Sequence, residues 1–273
     1  MPGSAQVRSF RRGAVVIALA TFGYLYLVFP TLIIVPVSFG NRVELVFPPT
    51  QLTLDLYRDY FGSREWLEVT FRSFRNAFLA CALALLVGVP GAWALVRSRF
   101  PGRRLIVMFL LSPILVPVVV ISLGLYLYFG RLRLTGTTIG LILAHAMYVT
   151  PFVLITIGAG LQQLDERLET AATIMGAGRL RVFVSVVLPQ LVPSIVSAAL
   201  FAFLMSFDEV VIAWFLTDPS TMTLPVKMYA SIKWESSPIL AAVATLLILL
   251  SVLICLIAIA VTRGREAPGA HGA

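Results

Sequence analysis

Three ionisable residues lie within apolar stretches of the sequence and are the first candidates for chemistry. Asp208 and Glu209 are adjacent in LMSFDEVVIAWFL, and His145 stands in LILAHAMYVTPF. A carboxylate can attract a cation or take up a proton, and histidine exchanges protons near neutral pH. Because charges in apolar surroundings are costly, we expect these side chains to face a cavity, a path or a partner group.

No other arrangement of residues suggests catalysis. The sequence has no His, Cys, Asp and Glu cluster at metal-ligand spacing and no nucleophile–base pair typical of an enzyme. It lacks the GxxxxGK[ST] phosphate-binding loop, and its only lysines are Lys227 and Lys233. We therefore expect no catalytic residue, no metal and no cofactor in this chain.

The composition is that of a membrane protein. Hydrophobic residues make up 59% of the sequence and charged residues 12%, with a mean hydropathy of +0.94, whereas a soluble domain carries about 25% charged residues. Continuous apolar runs predict spanning helices rather than the alternating strands of a barrel. We expect an all-α membrane protein with one transmembrane domain over residues 1–273. Its six transmembrane helices are predicted at about 14–37, 75–96, 105–128, 137–158, 191–214 and 238–262.

The charged residues orient these helices. Six spans place both termini, the second loop and the fourth loop on one side, which carries twelve arginines against four acidic residues. The other side carries nine basic and seven acidic residues. By the positive-inside rule the arginine-rich side, with both termini, is cytoplasmic. The basic balance is therefore a topology signal, and no nucleic-acid partner is expected.

A polar segment, residues 161–189, separates the fourth and fifth predicted helices. Three- and four-residue spacing predicts an amphipathic helix with an apolar stripe of Leu161, Leu164, Leu168, Ala171 or Ala172, and Met175. Gly176 and Gly178 fit a helix stop, because glycine accepts the left-handed conformation that follows a helix. Arg179 begins a second short helix in this prediction. Pro189 suits a bend into the next span because it lacks an N–H.

Two interpretations of this segment are open from the residues alone. It is either a plain connector at the membrane interface, or a flat surface for a soluble partner. In the second interpretation Ala171, Ala172 and Gly176 let the partner's backbone approach closely.

At this segment the chain resembles the cytoplasmic EAA loop of ABC importer permeases. That pattern is Glu-Ala-Ala, three residues, Gly, nine residues, an aliphatic residue, one residue, then Leu-Pro. The matching positions here are Ala171, Ala172, Gly176, Val186, Leu188 and Pro189. Thr170 stands where the family has Glu, and Glu169 lies one residue earlier. This departure from the family pattern affects one charged contact with the soluble partner.

The resemblance implies a type I importer permease fold in the bacterial inner membrane. The loop would form a coupling helix on a separate ATPase chain. Its coupling residues would be Glu169, Thr170, Ala171, Ala172, Gly176, Leu188 and Pro189. The implied assembly has two ATPase subunits, a second homologous permease and a periplasmic solute-binding protein. Residues 206–232 resemble the second permease subunit of spermidine and putrescine importers, so a polyamine is the expected solute and another small solute the alternative.

The two intramembrane acids have two candidate roles. With the fifth helix entering from the cytoplasm near residue 191, Asp208 is expected about 20–25 Å into a hydrocarbon core of about 30 Å. Asp208 and Glu209 either line the path of a cationic solute or hold an outer gate. The gate would pair them with Lys227, Arg131 or Arg133.

His145 also has two candidate roles. It is either a proton relay or pathway residue, or the partner in a hydrogen bond between helices beside Pro151. A proton-coupled secondary transporter, with Asp208, Glu209 and His145 as its relay, is the rival function. That rival leaves the pattern of residues 161–189 unexplained.

Overall fold

The computed structural model describes residues 4–43, 45–235 and 237–263, and the regular elements of these residues are helices. This confirms the all-α prediction. Helices α1 to α6 are Ser4–Val37, Asp55–Gly62, Arg64–Arg97, Arg103–Leu111, Val118–Arg131 and Thr138–Gln163. Helices α7 to α13 are Glu166–Ile174, Arg179–Val182, Leu188–Gln190, Val192–Phe207, Val211–Leu216, Leu224–Trp234 and Ile239–Arg263. A 3₁₀ turn covers Ser112–Ile114, and a π-helical turn covers Phe183–Val187.

Several of these helices are long and apolar enough to cross a membrane. In the described residues they are the Leu19–Val37 part of α1, helix α3 and helix α6. Two bent pairs have the same character, namely Arg103–Ile114 with α5, and Arg179–Gln190 with α10. A shorter apolar stretch, Ile239–Ile254, lies in α13. Each of the six predicted helices therefore has a helical counterpart, while their number as complete spans stays a prediction.

The third predicted span is bent rather than straight. Its two halves, Arg103–Ile114 and Val118–Arg131, meet at an angle of 102°. Pro117 stands immediately before α5 with a ψ of 132°. Because proline has no N–H and its ring obstructs the preceding turn, the backbone leaves the helical path here.

The fifth predicted span, 191–214, is wrong as a single helix. Helix α10 ends at Phe207 and α11 begins at Val211. Apolar residues flank Asp208 and Glu209 on both sides, so the apolar run alone predicts one helix through them. The interruption comes from the side chain of Glu209, which bonds to backbone N–H groups of the following turn.

Two helical segments lie outside the predicted spans. Helix α3 begins at Arg64, eleven residues before the predicted start at 75. The extra turns carry a Glu68–Arg72 pair at 3.2 Å with four-residue spacing, which supports a helix outside the bilayer. Helix α12 was not predicted, and its first residue, Leu224, donates its N–H to Ser73 Oγ at 2.7 Å.

Residues 1–64 and 234–253 form one compact unit. Within it, α2 is tied to the end of α1: Ser38 Oγ lies 2.6 Å from Tyr57 Oη, and the Phe39 and Tyr57 rings are 5.5 Å apart. Arg42 binds both carboxylate oxygens of Asp59 at 2.6 and 2.7 Å. That hydrogen-bonded pair raises the pKa of the Arg42 guanidinium.

Residues 65–233 and 254–263 form the second unit. Its main core joins α3, α6, α10 and the segment between α6 and α10 through small and branched side chains. Members of this core are Ala84, Val89, Ala92, Val149, Val153, Ile157, Leu161, Ala172, Val187, Leu191, Ala198 and Ala202. Small residues allow close helix packing in membranes. At Gly160 a Cβ would lie 2.7 Å from Ser194 Cβ, so α6 and α10 approach too closely there for a larger residue.

Candidate functional site

Helix α7 is the amphipathic helix predicted in the polar segment. Asp165 caps it, because Asp165 Oδ1 accepts the N–H of Arg167 at 2.9 Å. Acidic residues Glu166 and Glu169 lie in its first turn, where the helix dipole favours negative charge. The helix is therefore defined by its own residues at the N-terminal end.

Gly176 ends α7 as predicted. Its φ is +89°, in the left-handed region. The N–H of Ala177 bonds to Ala172 O, and the N–H of Gly176 bonds to Thr173 O, each at 3.0 Å. These two bonds form the Schellman motif, in which the residue after the C-cap is left-handed. Gly176 is thus required by backbone geometry, and a Cβ there would have no heavy atom within 4 Å.

The predicted coupling residues divide between the surface and the core. Thr170, Ala171, Gly176 and Pro189 are exposed, Leu188 is half-buried, and Ala172 is 7% exposed and belongs to the core. The predicted apolar stripe is wrong at its C-terminal end, because Met175 is 81% exposed. Met175 is the C-cap residue of α7 and no longer follows the helical phase.

Large apolar side chains that sequence reasoning missed complete this surface. Ile174 is 82% exposed and Leu180 is 75% exposed. With Met175 they form what we term the exposed apolar set, which spans the end of α7 and the start of α8. These residues lie in the polar segment between two long apolar helices, and the sequence alone does not show that their side chains are exposed.

Glu169 faces inward, toward Arg97. Its Oε1 accepts Arg97 Nε at 2.8 Å, and its Oε2 lies 3.4 Å from Trp93 Nε1. Arg97 Nη1 donates to Glu166 Oε1 at 2.7 Å. Arg97 Nη2 donates to the backbone oxygen of Leu161 at 3.0 Å. The Arg97 side chain is 13% exposed and that of Glu169 is 16% exposed.

The segment from Arg179 to Gln190 confirms the predicted second helix and bend. Helix α8 begins at Arg179, the π-helical turn follows, and α9 carries Pro189. The segment meets α10 at 74°. Val187 and Leu191 are completely buried in the main core, so the bend is held by packing on both sides.

Asp208 and Glu209 are adjacent but face different surroundings. Asp208 is the C-cap of α10 and its side chain is exposed. Within the described residues its carboxylate makes no hydrogen bond or ion pair. Glu209 is 8% exposed, and its oxygens accept the N–H groups of Val211 at 2.9 Å and Ala213 at 3.1 Å. Glu209 thus caps α11, while Asp208 is left accessible.

His145 forms a hydrogen bond between helices. Its Nδ1 lies 2.9 Å from Ser206 Oγ, which joins α6 to α10. Its Nε2 lies 3.9 Å from Glu209 Oε2 and has no hydrogen-bond partner among the described residues. The ring is 2% exposed. The structure therefore contains the interhelical bond that sequence reasoning proposed for His145.

The cations proposed to pair with the two acids lie elsewhere. Lys227 pairs with Glu65 and lies 5.3 Å from the centroid of the Trp66 ring. Arg131 and Arg133 are exposed, and within the described residues neither forms an ion pair. None of the proposed gate pairs is present among the described residues, and an outer-gate role for the two acids stays a prediction. After α11, hydrogen bonds from Ser220 and Thr221 lower the pKa of Asp218 in the loop.

A cavity of about 350 Å³ lies between α3, α4 and α6. Apolar side chains line most of it, and Arg103 is the charged residue at its edge. Because that charge is positive, the cavity does not suit a cationic solute.

The bundle of bent apolar helices with an intervening amphipathic helix matches the fold of membrane subunits in solved ABC transporter structures. A structure of a bacterial ABC transporter that imports the acidic polysaccharide alginate matches 97% of this chain and 99% of the matched chain, with a TM-score of 0.70 and 16% identity. A structure of a bacterial alginate ABC transporter in complex with a periplasmic protein matches 92% and 93%, with a TM-score of 0.72 and 15% identity. At these identities the similarity establishes the fold.

The chain belongs to the family of binding-protein-dependent transport system inner membrane components, whose pattern matches residues 80–265. It is therefore an inner membrane transport subunit and not an enzyme, and the resemblance drawn from the EAA-like segment is confirmed.

Two relatives match most of this chain. The spermidine/putrescine transport system permease protein PotC of Haemophilus influenzae is 30% identical over 243 residues, 88% of this chain and 93% of the relative. The putrescine transport system permease protein PotI of Escherichia coli is 30% identical over 239 residues, 85% of each chain.

Proposed function

We propose that this chain is one of two homologous permease subunits of an ABC importer for a polyamine such as spermidine or putrescine. The solute class is supported by the two relatives, which share 30% identity over at least 85% of this chain. The assembly would hold two ATPase subunits and receive solute from a periplasmic binding protein. This chain would contribute a single domain of six spans with both termini in the cytoplasm.

The exposed apolar set of Ile174, Met175 and Leu180 is the observation that carries the docking role. On the cytoplasmic side, apolar side chains with 75% or more of their surface exposed would face water in an isolated subunit. Contiguous exposed apolar surface marks interaction sites. A groove on the ATPase subunit would cover these side chains, and Thr170 and Ala171 would lie at the same surface.

Transport would follow from a difference in binding. The ATPase dimer must bind one conformation of the permease pair more tightly than the other, because a ligand shifts an equilibrium only by its differential affinity. Closure of the dimer on ATP would move α7. That movement would open the solute path alternately to the outside and to the cytoplasm.

Asp208 is the residue we propose for contact with the solute. It is exposed and free of bonds in the described residues, whereas the Glu209 oxygens are occupied by the N–H groups of α11. A free carboxylate in the outer part of the membrane attracts an ammonium group strongly, because the local dielectric is low. Glu209 and His145 would maintain the backbone around it.

Uptake by the purified importer tests this function. The complete complex is reconstituted in proteoliposomes, with the binding protein and labelled spermidine outside and ATP in the compartment of the ATPase subunits. We expect ATP-dependent accumulation that unlabelled putrescine reduces and that a protonophore leaves intact. Accumulation that needs no ATP and collapses with the proton gradient would instead establish the secondary transporter.

The docking surface is tested by Ile174→Asp. Ile174 is exposed, so the fold should tolerate a charge that a dry apolar interface would not accept. We expect loss of ATPase subunits from the affinity-purified complex. Gln163→Asp is the matched control, because it adds the same charge at an exposed position outside α7 and α8. Equal recovery of ATPase with both variants would refute docking at this surface.

A further inference from the structure

Arg97 joins the ends of three helices. It is the last residue of α3, and its guanidinium donates to Glu169 and Glu166 in the first turn of α7. It also donates to the backbone oxygen of Leu161, at 3.0 Å, in the last turn of α6. The Leu161 oxygen also accepts the N–H of Leu164 at 3.3 Å, so Arg97 adds a second donor at the end of α6, where carbonyls lack the regular helical partners.

The geometry of arginine suits this position. Its planar fork carries five N–H donors in fixed directions, and bonds to carboxylates are about twice as strong as neutral ones. Nε binds Glu169 at 2.8 Å while Nη1 binds Glu166 at 2.7 Å. The Glu169 pair is largely shielded from water, with side chains 13% and 16% exposed. Glu166, at 74%, is the solvent-exposed partner.

Covalent connection alone does not link α7 rigidly to these helices. Between α6 and α7 the chain passes through Leu164 and Asp165, both extended, with ψ of 138° and 113°. Such a junction can rotate about single bonds. Helix α3 has no direct covalent connection to α7 at all, since α4, α5 and α6 lie between them in sequence.

Trp93 strengthens the same contact. One turn before Arg97 on α3, its Nε1 lies 3.4 Å from Glu169 Oε2. Its ring centroid lies 4.8 Å from that of Phe183, the first residue of the π-helical turn. The end of α3 therefore contacts the polar segment on both sides of Gly176.

We propose that Arg97 is a positioning residue that transmits displacement of α7 to the cytoplasmic ends of α3 and α6. This inference rests on the proposed docking of α7 to an ATPase subunit. The fork holds α7 at a fixed angle to the two spans, so that ATPase movement shifts both helices instead of rotating α7 about residues 164 and 165.

Arg97→Lys tests the transmission. Lysine keeps the charge, but its single ammonium cannot reach Glu169, Glu166 and the Leu161 carbonyl together. In proteoliposomes of the complete importer we expect ATPase subunits to remain bound and ATP hydrolysis to continue. Solute moved per ATP hydrolysed should fall by about fivefold or more, the range of a typical coupling free energy. Arg99→Lys, at an exposed arginine two residues further on, is the matched control.

A double-mutant cycle shows whether Glu169 is the partner through which Arg97 acts. Glu169→Gln retains the shape and removes the charge. If both residues act through one contact, the transport-to-hydrolysis ratio of Arg97→Lys with Glu169→Gln should be no lower than that of the worse single variant.

Three results would overturn the proposal. The first is unchanged hydrolysis together with unchanged uptake in Arg97→Lys. The second is an equal fall in hydrolysis and uptake, which would assign Arg97 to the fold. The third is loss of ATPase from the complex, which would assign it to docking. Absence of ATP-dependent uptake by the unsubstituted importer is distinct from these, because it refutes the proposed function and the inference with it.

Discussion

Two acid–base contacts lie along helix α6, and they are built in opposite ways. Near its C-terminal end, Glu169 binds Arg97 at 2.8 Å, and the guanidinium also binds Glu166 and Leu161 O. Sixteen residues before Leu161, or about 24 Å along the helix, His145 lies 3.9 Å from Glu209. The Glu209 oxygens accept N–H groups of the next helix, α11. The Arg97 contact connects three separate helices, whereas the Glu209 carboxylate caps the start of a single helix, α11.

The difference shows what each contact can do in a moving protein. A charge pair with satisfied donors and acceptors holds its elements in one arrangement. The His145 site retains an unpartnered Nε2 among the described residues and a free carboxylate at Asp208. We therefore assign rigidity to the Arg97 contact and accessibility to Asp208, which lies beside the buried His145 and Glu209.

The largest expected effect is a change in solute affinity on substitution of Asp208, with no change in the coupling of transport to ATP hydrolysis. Asp208→Asn removes the free charge and retains the shape, so the KM for spermidine should rise about 10- to 100-fold, as for loss of a charge-assisted hydrogen bond. The ratio of transport to hydrolysis should stay unchanged. Initial uptake rates over a range of solute concentrations, with matched ATPase assays, measure both quantities.

Asp165→Asn is the control for that substitution, because it removes a charge from the polar segment between α6 and α7. Its KM should equal that of the unsubstituted importer. An equal loss of uptake of a neutral solute by a homologue with the matching substitution would indicate a gate residue instead of a solute contact.

The next effect concerns Glu209 as a backbone cap. Glu209→Ala leaves the N–H groups of Val211 and Ala213 without their acceptors, so we expect a loss of about 1–2 kcal/mol in stability, as for loss of a helix cap. Glu209→Gln keeps one acceptor oxygen and should lose less. Thermal unfolding of the detergent-solubilised complex distinguishes the two. Equal stability of Glu209→Ala and the unsubstituted protein would contradict the capping role.

The last effect, no larger than that of Glu209→Ala, separates backbone strain at Gly176 from docking. Gly176→Ala places a side chain in the left-handed region at a cost of about 1–2 kcal/mol, whereas Gly176→Asn should cost less because Asn tolerates that region. Unfolding temperatures report this order. If both variants retain bound ATPase, the glycine serves the Schellman turn and not a close approach of the partner backbone.

The sequence predicts much of the fold because hydropathy and helix-end signals are local. The left-handed turn at Gly176 and the helix start at Arg179 follow from neighbouring residues and are confirmed. The break after Phe207 does not follow, because it depends on one carboxylate that takes backbone N–H groups inside an apolar run.

The candidate site is less predictable because its contacts span long stretches of sequence. Arg97 and Glu169 are 72 residues apart, and no periodicity joins them. From the sequence alone, Arg97 is one of the twelve arginines that orient the membrane helices. An arginine at a helix end, on the same side as an acidic loop, is the signal that could have indicated the pair.

The break between α10 and α11 has a consequence for hydration. Sixteen residues of α10 span about 24 Å, less than the hydrocarbon thickness of about 30 Å. Backbone that is not helical at membrane depth persists only where protein covers it or a water-filled cavity borders it. Glu209 covers one side of this break, and the exposed Asp208 lies on the other. At membrane depth, the Asp208 side of this break would therefore need cover from a partner subunit or contact with a water-filled path.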